Sequence, residues 1–369
     1  CKFENPKLMR QFGLILENVD GTDDLANKFT MRGVPHTLSM LTSTSSTSDP
    51  STNEFDPPFD RTGWSGDGAP GAGTLLEFAI GAVRQHFTRT LNRNDDPNLG
   101  PLDFRLPTPD ELNAMEAFQF ALGRFEDPDL SQLGPKLRSD VARLGLELFQ
   151  GAGRCSTCHF NAGATPSFAP GINRDFDTGV ETLSIPGVPR DGGAGTTFNP
   201  AITAFGDGTF NTPPLVEAAD TGPFFHNNSV DTIEQAVEFY TTDAFANSPS
   251  AAFAQINLNA SEIRAIAAFL RVINADFNLG ETKKYLELAL QTSQFSKASR
   301  LITLAGLELN DAIGVLSEVR LHPRAVLRLR VTKALLDFAA ETRLRAARNG
   351  LIATAITQQN VAKSLLIEP

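Results

Sequence analysis

Three side chains within five consecutive residues could together bind a redox cofactor. Cys155 and Cys158 are separated by two residues, and His159 follows directly. This C-x-x-C-H spacing is the attachment sequence of c-type haem. Two thiols reach one edge of the macrocycle and form thioether bonds with its vinyl groups, while the next imidazole binds the iron. The motif therefore predicts one covalent haem c, with His159 as the proximal ligand of the haem iron.

Other chemistry is open to the same residue types. A thioredoxin-type redox pair also reads C-x-x-C, but it normally occurs near a βαβ pattern, which this sequence lacks. A structural zinc site needs four ligands, and no second cysteine pair exists to complete one. A bare disulfide and a chance match are the remaining alternatives, and the full five-residue spacing favours haem over both.

Length, composition and charge limit the classes of protein to which this chain could belong. The 369 residues predict two or three domains, and a hydrophobic content of 41% is typical of a globular protein. No run of 18 apolar residues occurs, so we expect no transmembrane segment. A net charge of −11 argues against nucleic acid as a partner.

The charge is unevenly distributed along the chain. Residues 281–369 carry 13 Lys/Arg and 8 Asp/Glu, whereas residues 1–280 carry 19 and 35. A basic tail on an acidic body suggests a separate module. It could bind the acidic body, another copy of the chain or an anionic surface, although a solvated helical face is the simpler interpretation.

Cys1 is the one cysteine outside the haem motif. A lipid anchor on an N-terminal cysteine, a disulfide with another chain, and a sequence cut from a longer protein all remain open.

Periodicity predicts a mainly α protein. Helices are expected over 74–91, 108–124, 139–149, 231–240 and 261–272, with three or four more after Gly280. Thr108 and Asp231 are the predicted N-caps of two of them. Met115 belongs to an apolar stripe predicted to pack in the core. Strands are expected only as short pieces within the long segment 161–214, which is rich in Gly, Pro, Asn and Thr.

Four short motifs resemble the bacterial dihaem cytochrome c peroxidase and MauG superfamily. The sequence F-N-T-P-P-L at 210–215 resembles the family's F-x-x-P-x-L, and G-P-F-F-H-N-N-S at 222–229 resembles its P-Y-F-H-D-G turn. More weakly, R-G-V-P at 32–35 resembles R-N-x-P, and G-W-S-G-D-G at 63–68 resembles F-W-D-G-R. The resemblance implies two cytochrome-c-like domains around one haem, plus a helical C-terminal extension. The implied boundaries are 1–133 for a degenerate domain without haem, 134–280 for the haem c domain and 281–369 for the extension.

The departures from the family pattern concern the haem chemistry. The first domain of the family carries its own C-x-x-C-H, and no such motif occurs in residues 1–133 here. Thr209 stands where peroxidases of the family place a methionine ligand. Gly33 replaces an asparagine that the family links to an interdomain calcium, which argues against calcium here.

Roles are predicted for individual residues. The hydroxyl of Thr209 could orient water or peroxide. His226 could hydrogen-bond near the haem or bind the distal side of the iron, although the family does not generally use the matching histidine as an iron ligand. Trp64 resembles a tryptophan that relays electrons between the haems of the family. The residues expected to contact the haem are Arg154, Pro213, Leu215 and Phe225. Simpler alternatives are an interface packing role for Trp64 and an exposed arginine at 154. His36 and His86 are further candidates for the distal ligand.

Taken together, these features predict an exported bacterial haem oxidoreductase of the periplasm or the extracellular space. It would reduce peroxide or transfer electrons at a single haem. Its partners would be peroxide, a small redox protein, a second haem protein or further copies of the chain. The alternative is a non-enzymatic electron-transfer or structural subunit of a larger extracytoplasmic assembly.

Overall fold

The computed structural model describes most of the chain from residue 94 onward and shorter stretches before it. The described residues are 13–18, 29–35, 37–43, 63–64, 75–86, 94, 96–186, 189–195 and 197–369. Helices dominate these residues and strands are few and short, so the prediction of a mainly α protein is confirmed. Cys1 and His36 lie outside the described residues, and the side chain of His86 is also outside this description.

The chain forms two compact units. The first unit combines residues 1–127, 154–214 and 222–257, and the second combines residues 128–153, 215–221 and 258–369. The division at 133 and 280 stays a prediction, because compactness does not test which segments form a haem-binding module.

The first unit holds short antiparallel strand pairs and short helices. Strand β1 pairs with β2, β3 with β6 and β4 with β5. The strands are β1 Leu14–Asn18, β2 Phe29–Gly33, β3 Asp175–Phe176, β4 Phe198–Asn199, β5 Ala204–Phe205 and β6 Phe210–Asn211. The helices in this unit are α1 Met40–Ser43, α2 Leu75–His86, α3 Pro109–Phe120, α6 Ile233–Phe239 and α7 Asp243–Ala246.

The prediction that strands occur only within 161–214 is wrong, because β1 and β2 precede that segment. Each is five residues long. A run that short rarely shows enough alternation of apolar and polar residues to indicate a strand.

Helix α3 confirms its predicted cap but not its predicted core face. Thr108 Oγ1 accepts a hydrogen bond from the Glu111 amide at 3.3 Å, and Glu111 Oε2 accepts one from the Thr108 amide at 2.8 Å. However, Met115 and Phe118 are 42% and 63% exposed, so the core role predicted for Met115 is wrong. The apolar stripe exists, but nothing in the described chain covers those two side chains.

Helix α6 begins one residue later than predicted. Thr232, rather than Asp231, is the N-cap, and its hydroxyl accepts a hydrogen bond from the Gln235 amide at 3.2 Å. Gln235 Oε1 in turn accepts from the Thr232 amide at 3.1 Å. Both adjacent residues are good N-caps, and the glutamine three residues after Thr232 selects between them.

The second unit is helical in its described residues. Its helices are α4 Leu130–Leu133, α5 Asp140–Gln150, α8 Ala260–Gln291, α9 Phe295–Ser317, α10 Pro323–Glu341 and α11 Arg345–Ser364. Helix α8 continues well beyond the predicted end at residue 272 and passes through Gly280. A single glycine costs a helix only about 1 kcal/mol, which buried neighbours such as Leu279 and Thr282 offset.

Close packing holds α5 against α8. A Cβ atom at Gly145 would lie within 2.5 Å of the Ala265 carbonyl carbon, so only glycine allows this approach. One turn further on, the rings of Phe149 and Phe269 meet edge to face with centroids 5.4 Å apart. The Leu366 carbonyl near the C-terminus accepts a hydrogen bond from the Arg138 amide at 2.9 Å. The last helix is thereby tied to the segment that precedes α5.

Among the described residues, no helix combines the length and the apolar character needed to cross a membrane.

Candidate functional site

The two cysteines and the histidine lie in a tight turn that its own backbone closes. Arg154 enters the turn with a left-handed φ of +52°. The Cys155 carbonyl then accepts hydrogen bonds from the amides of Cys158 at 3.2 Å and His159 at 2.8 Å. Further along, the Ser167 amide donates to the Thr157 carbonyl at 3.1 Å. The turn therefore holds both thiols and the imidazole on a short, constrained stretch of backbone.

The two thiols are not joined in a disulfide. Burial raises the pKa of Cys155 to about 12 and that of Cys158 to about 11, so both are protonated at neutral pH. Each residue nevertheless keeps partial contact with solvent.

His159 is held in a neutral form with a defined orientation. Its Nδ1 lies 3.2 Å from the carbonyl oxygen of Gly163. Burial lowers its pKa to about 4, although the carbonyls of Gly163 and Pro213 act in the opposite direction. A proton on Nδ1 that is donated to a carbonyl leaves the lone pair of Nε2 available for a metal. With its proton on Nδ1, this side chain could serve as a haem ligand.

An aromatic cluster lies beside this turn. Its buried rings are Phe210, Phe239 and Phe245, and the partly buried residues packed against it include Trp64, Phe225 and Tyr240. Burial raises the pKa of Tyr240, and the nearby thiols of Cys158 and Cys155 raise it further, which places its phenol close to the haem motif. Sequence reasoning did not select Tyr240 as a site residue, because the signal was only its position next to Phe239 on a helix that follows the motif.

Phe225, a residue predicted to contact the haem, packs among other aromatic rings. It has a left-handed φ of +66°, and its ring contacts Phe239 edge to face at 5.1 Å and Tyr240 at 6.5 Å. These contacts place it in the same aromatic cluster as Tyr240.

His226 is a buried imidazole without a hydrogen-bond partner. It is 2% exposed and stacks on Phe210 with ring centroids 4.2 Å apart. Within the described chain neither ring nitrogen has a hydrogen-bond partner. Burial lowers its pKa to about 4; Asp191 raises the pKa and Arg32 lowers it.

A buried ion pair lies close to His226. Arg32 Nε donates to Asp191 Oδ2 at 2.6 Å, and its Nη2 donates to Asp191 Oδ1 at 3.0 Å. Sequence reasoning included Arg32 in a motif but missed Asp191, because the two residues are 159 positions apart. This bidentate pair supplies the charged surroundings of the imidazole.

Trp64 forms hydrogen bonds with residues of two other predicted motifs. Its Nε1 donates to the Gly33 carbonyl at 2.7 Å, and its own carbonyl accepts from the Asn211 amide at 2.9 Å. The Gly33 amide in turn donates to the His226 carbonyl at 2.7 Å. The segments around 33, 64, 211 and 226 therefore meet in one place.

Asn228 explains the glycine at position 33. A Cβ atom on Gly33 would lie 3.0 Å from Asn228 Cγ and closer still to Oδ1. The Asn228 amide thus fills the space into which a longer residue 33 would extend.

No cluster of three or more His, Cys, Asp or Glu residues in the described chain could hold a metal ion.

The remaining predicted site residues are Thr209, Arg154, Pro213 and Leu215. The Thr209 hydroxyl donates to Asp207 Oδ1 at 2.6 Å. Arg154 is exposed, Pro213 contributes its carbonyl to the surroundings of His159, and Leu215 belongs to the second compact unit.

Comparison with known proteins gives one distant likeness. The chain is similar to a protein named cytochrome-c peroxidase IdrP2 from Denitromonas iodatirespirans, with 26% identity over 191 residues that cover 45% of this chain and 51% of that protein. The chain therefore spans about half the length of this relative. No family model and no solved structure matches it.

Proposed function

We propose that this chain is a c-type haem oxidoreductase of the cytochrome c peroxidase kind. Cys155 and Cys158 would form the two thioether bonds, and His159 would bind the iron. The observation that carries the proposal is the position of His159, whose Nδ1 lies 3.2 Å from the Gly163 carbonyl oxygen within a closed C-x-x-C-H turn. The likeness to a protein named cytochrome-c peroxidase supports the same class of reaction and peroxide as the oxidant.

The surrounding residues fit a haem at this turn. The two thiols do not form a disulfide, so both sulfurs could bond to the vinyl groups of a haem. Phe225, Phe239 and Tyr240 supply an apolar wall close to the sulfurs. When bound, a haem would supply one-electron chemistry at iron.

The protein side of the reaction follows from the described side chains. A proton on His159 Nδ1 would be donated to the Gly163 carbonyl, which would orient the ring and leave Nε2 for the iron. The aromatic cluster would keep water from that side of the turn. Trp64, packed against the cluster and bonded to Gly33, would carry electrons through the first unit. His226 would remain neutral at pH 7.

Covalent attachment of this kind takes place outside the cytoplasm, so we expect the protein to be exported. The proposal includes one haem within residues 1–369, since the sequence holds one C-x-x-C-H motif.

A second function, electron transfer without peroxide turnover, is favoured by one observation. The Thr209 hydroxyl donates to Asp207 Oδ1 at 2.6 Å. The hydroxyl predicted to orient water or peroxide is therefore already engaged within the fold. In this alternative the chain would be a haem-bearing subunit that passes electrons within a larger assembly.

Removal of the thiols tests the haem assignment. The chain would be produced in a host that attaches c-type haem, and haem that stays on the denatured polypeptide would be measured together with its pyridine haemochrome spectrum. Cys155→Ala combined with Cys158→Ala should abolish covalent haem. Cys1→Ala, which removes the third cysteine, should retain it. Covalent haem on the double variant would overturn the proposal.

The spin state of the oxidised iron distinguishes the two functions. A high-spin spectrum that changes on addition of hydrogen peroxide supports the peroxidase. A six-coordinate low-spin spectrum that peroxide leaves unchanged supports electron transfer alone.

A further inference from the structure

Helix α10 carries a second apolar face that nothing in the described chain covers. The side chains of Leu327, Val331 and Phe338 are 66%, 47% and 72% exposed, and Ala334 between them is also exposed. Their spacing of four, three and four residues places them in one stripe about 60° wide along the helix. The opposite face of the same helix already packs in the core through Leu329 and Leu336.

The stripe is self-complementary in the order of its side chains. Its midpoint lies between residues 332 and 333, so an antiparallel second copy would place Leu327 opposite Phe338 and Val331 opposite Ala334. Large residues would thus meet at the ends and a branched residue would meet a small one at the centre. Antiparallel helices that pair through such a 3-4 repeat bury the stripe in knobs-into-holes contacts.

The charges that flank the stripe show the same complementarity. Along one edge of the stripe the antiparallel rotation brings Arg330 of one copy close to Asp337 of the other, twice in the dimer. Within the single chain Asp337 bonds Lys333 Nζ at 2.5 Å, and Arg330 forms no ion pair among the described residues. A parallel arrangement would instead set Arg330 against its own copy.

We propose that this face of α10 is a two-fold antiparallel dimerisation surface whose partner is a second copy of the chain. The inference is independent of the haem assignment, because it rests on the second compact unit alone. The contact is small beside a standard interface of about 1,600 Å². We therefore expect a dimer that dissociates within the micromolar range.

The apolar part of the surface is tested by the oligomeric state of the haem-loaded chain. Sedimentation equilibrium across the micromolar range should show a monomer–dimer equilibrium. Leu327→Asp should weaken the dimer at least about tenfold, because it places a charge against Phe338 of the other copy at both ends of the contact. Leu307→Asp is the matched control: Leu307 is 54% exposed on α9, and its substitution should leave the equilibrium unchanged.

The charges test the antiparallel register. Arg330→Asp alone and Asp337→Arg alone should each weaken self-association, because each places like charges opposite each other twice. An equimolar mixture of the two variants should recover association as a heterodimer, in which both pairs are again of opposite charge. Both positions are exposed, so circular dichroism should show an unchanged fold.

Three results would overturn the proposal. The first is a chain that stays monomeric at the highest concentration tested. The second is a dimer that Leu327→Asp does not affect. The third is a monomer that pellets with phosphatidylserine vesicles and loses this binding in Leu327→Asp, which would make the stripe a membrane contact. Failure of the variant mixture to recover association would overturn the antiparallel register.

Discussion

The imidazole of His226 combines burial, aromatic stacking and, within the described residues, a lack of hydrogen bonds. His226 stacks on Phe210, both of its ring nitrogens are buried without a hydrogen-bond partner in the described chain, and the Arg32–Asp191 pair lies nearby. An unpaired buried polar group destabilises a fold by about 1–3 kcal/mol. The retention of such a group beside the predicted haem domain motifs is consistent with the role near the haem that the resemblance implies.

The same imidazole should make the stability of the protein depend on pH. Its pKa is 6.5 in the unfolded chain and about 4 in the folded one. Between these values the unfolded chain binds the extra proton, so stability is present above pH 6.5 and is lost as the pH falls towards 4. His226→Phe, which keeps the ring stack, should remain folded at pH 7 and should exceed the parent at pH 4.5 by about 2–3 kcal/mol. Urea unfolding at the two pH values gives the difference. The parent and the His226→Phe variant share all other titrating groups. The prediction would therefore be contradicted if the free energy of unfolding depended on pH in the same way in both proteins.

At the scale of the element, the turn after Arg154 depends on one glycine. Gly163 supplies the carbonyl that orients His159, and a Cβ atom there would lie within 3 Å of the Asp127 carboxylate. Arg124 holds that carboxylate through hydrogen bonds of 3.0 Å and 2.9 Å to Oδ1. Neither the Gly163 carbonyl nor the Asp127 carboxylate can move without breaking a hydrogen bond. The residue at 163 therefore controls the position of the His159 imidazole.

Gly163→Ala should therefore impair haem attachment. The added methyl group must displace either the carbonyl that accepts from His159 or the carboxylate bound to Arg124, and we expect a loss of about 1–3 kcal/mol in stability. The yield of covalent haem per chain should fall several-fold. Gly280→Ala is the control, because a Cβ atom there meets nothing within 4 Å and alanine favours the helix. Equal haem yields in the two variants would show that the turn tolerates the methyl group.

The sequence predicts structural features that depend on neighbouring residues. It does not predict features that depend on contacts between residues far apart in the chain. The Thr108 cap and the C-x-x-C-H turn depend on residues three or four positions apart. In contrast, Asp191 acquires its role from Arg32, and Tyr240 from thiols more than 80 positions away. Met115 shows the opposite error, since its spacing fits a core stripe but no neighbouring element covers it. Local pattern fixes an element and its ends, whereas burial depends on what packs against it.

At the scale of the whole molecule, the two compact units should respond to acid in opposite directions. The first unit contains buried imidazoles that fold in their neutral form. The second contains a group of carboxyls facing one another across α8, α9 and the segment 215–221. Burial raises the pKa of Glu308 to about 7, and four other carboxyl groups raise it further, namely Glu281, Asp311, Asp220 and Glu217. Acidification from pH 7 to 4.5 should weaken the first unit and relieve repulsion in the second.

The carboxyl group of Glu308 provides the test in the second unit. Its pKa is 4.5 when unfolded and about 7 when folded, so the folded state binds the extra proton between these values and stability falls as the pH rises through them. Glu308→Gln should thus stabilise the protein by about 2 kcal/mol at pH 8 and by nothing measurable at pH 4.5. Urea unfolding at both pH values provides the measurement. Glu287→Gln on the surface of α8, where the carboxylate lies 3.6 Å from Lys283 Nζ, should change stability by less than about 0.5 kcal/mol at either pH. A gain for Glu308→Gln that persists at pH 4.5 would mean that packing, and not repulsion among the carboxyls, explains the effect.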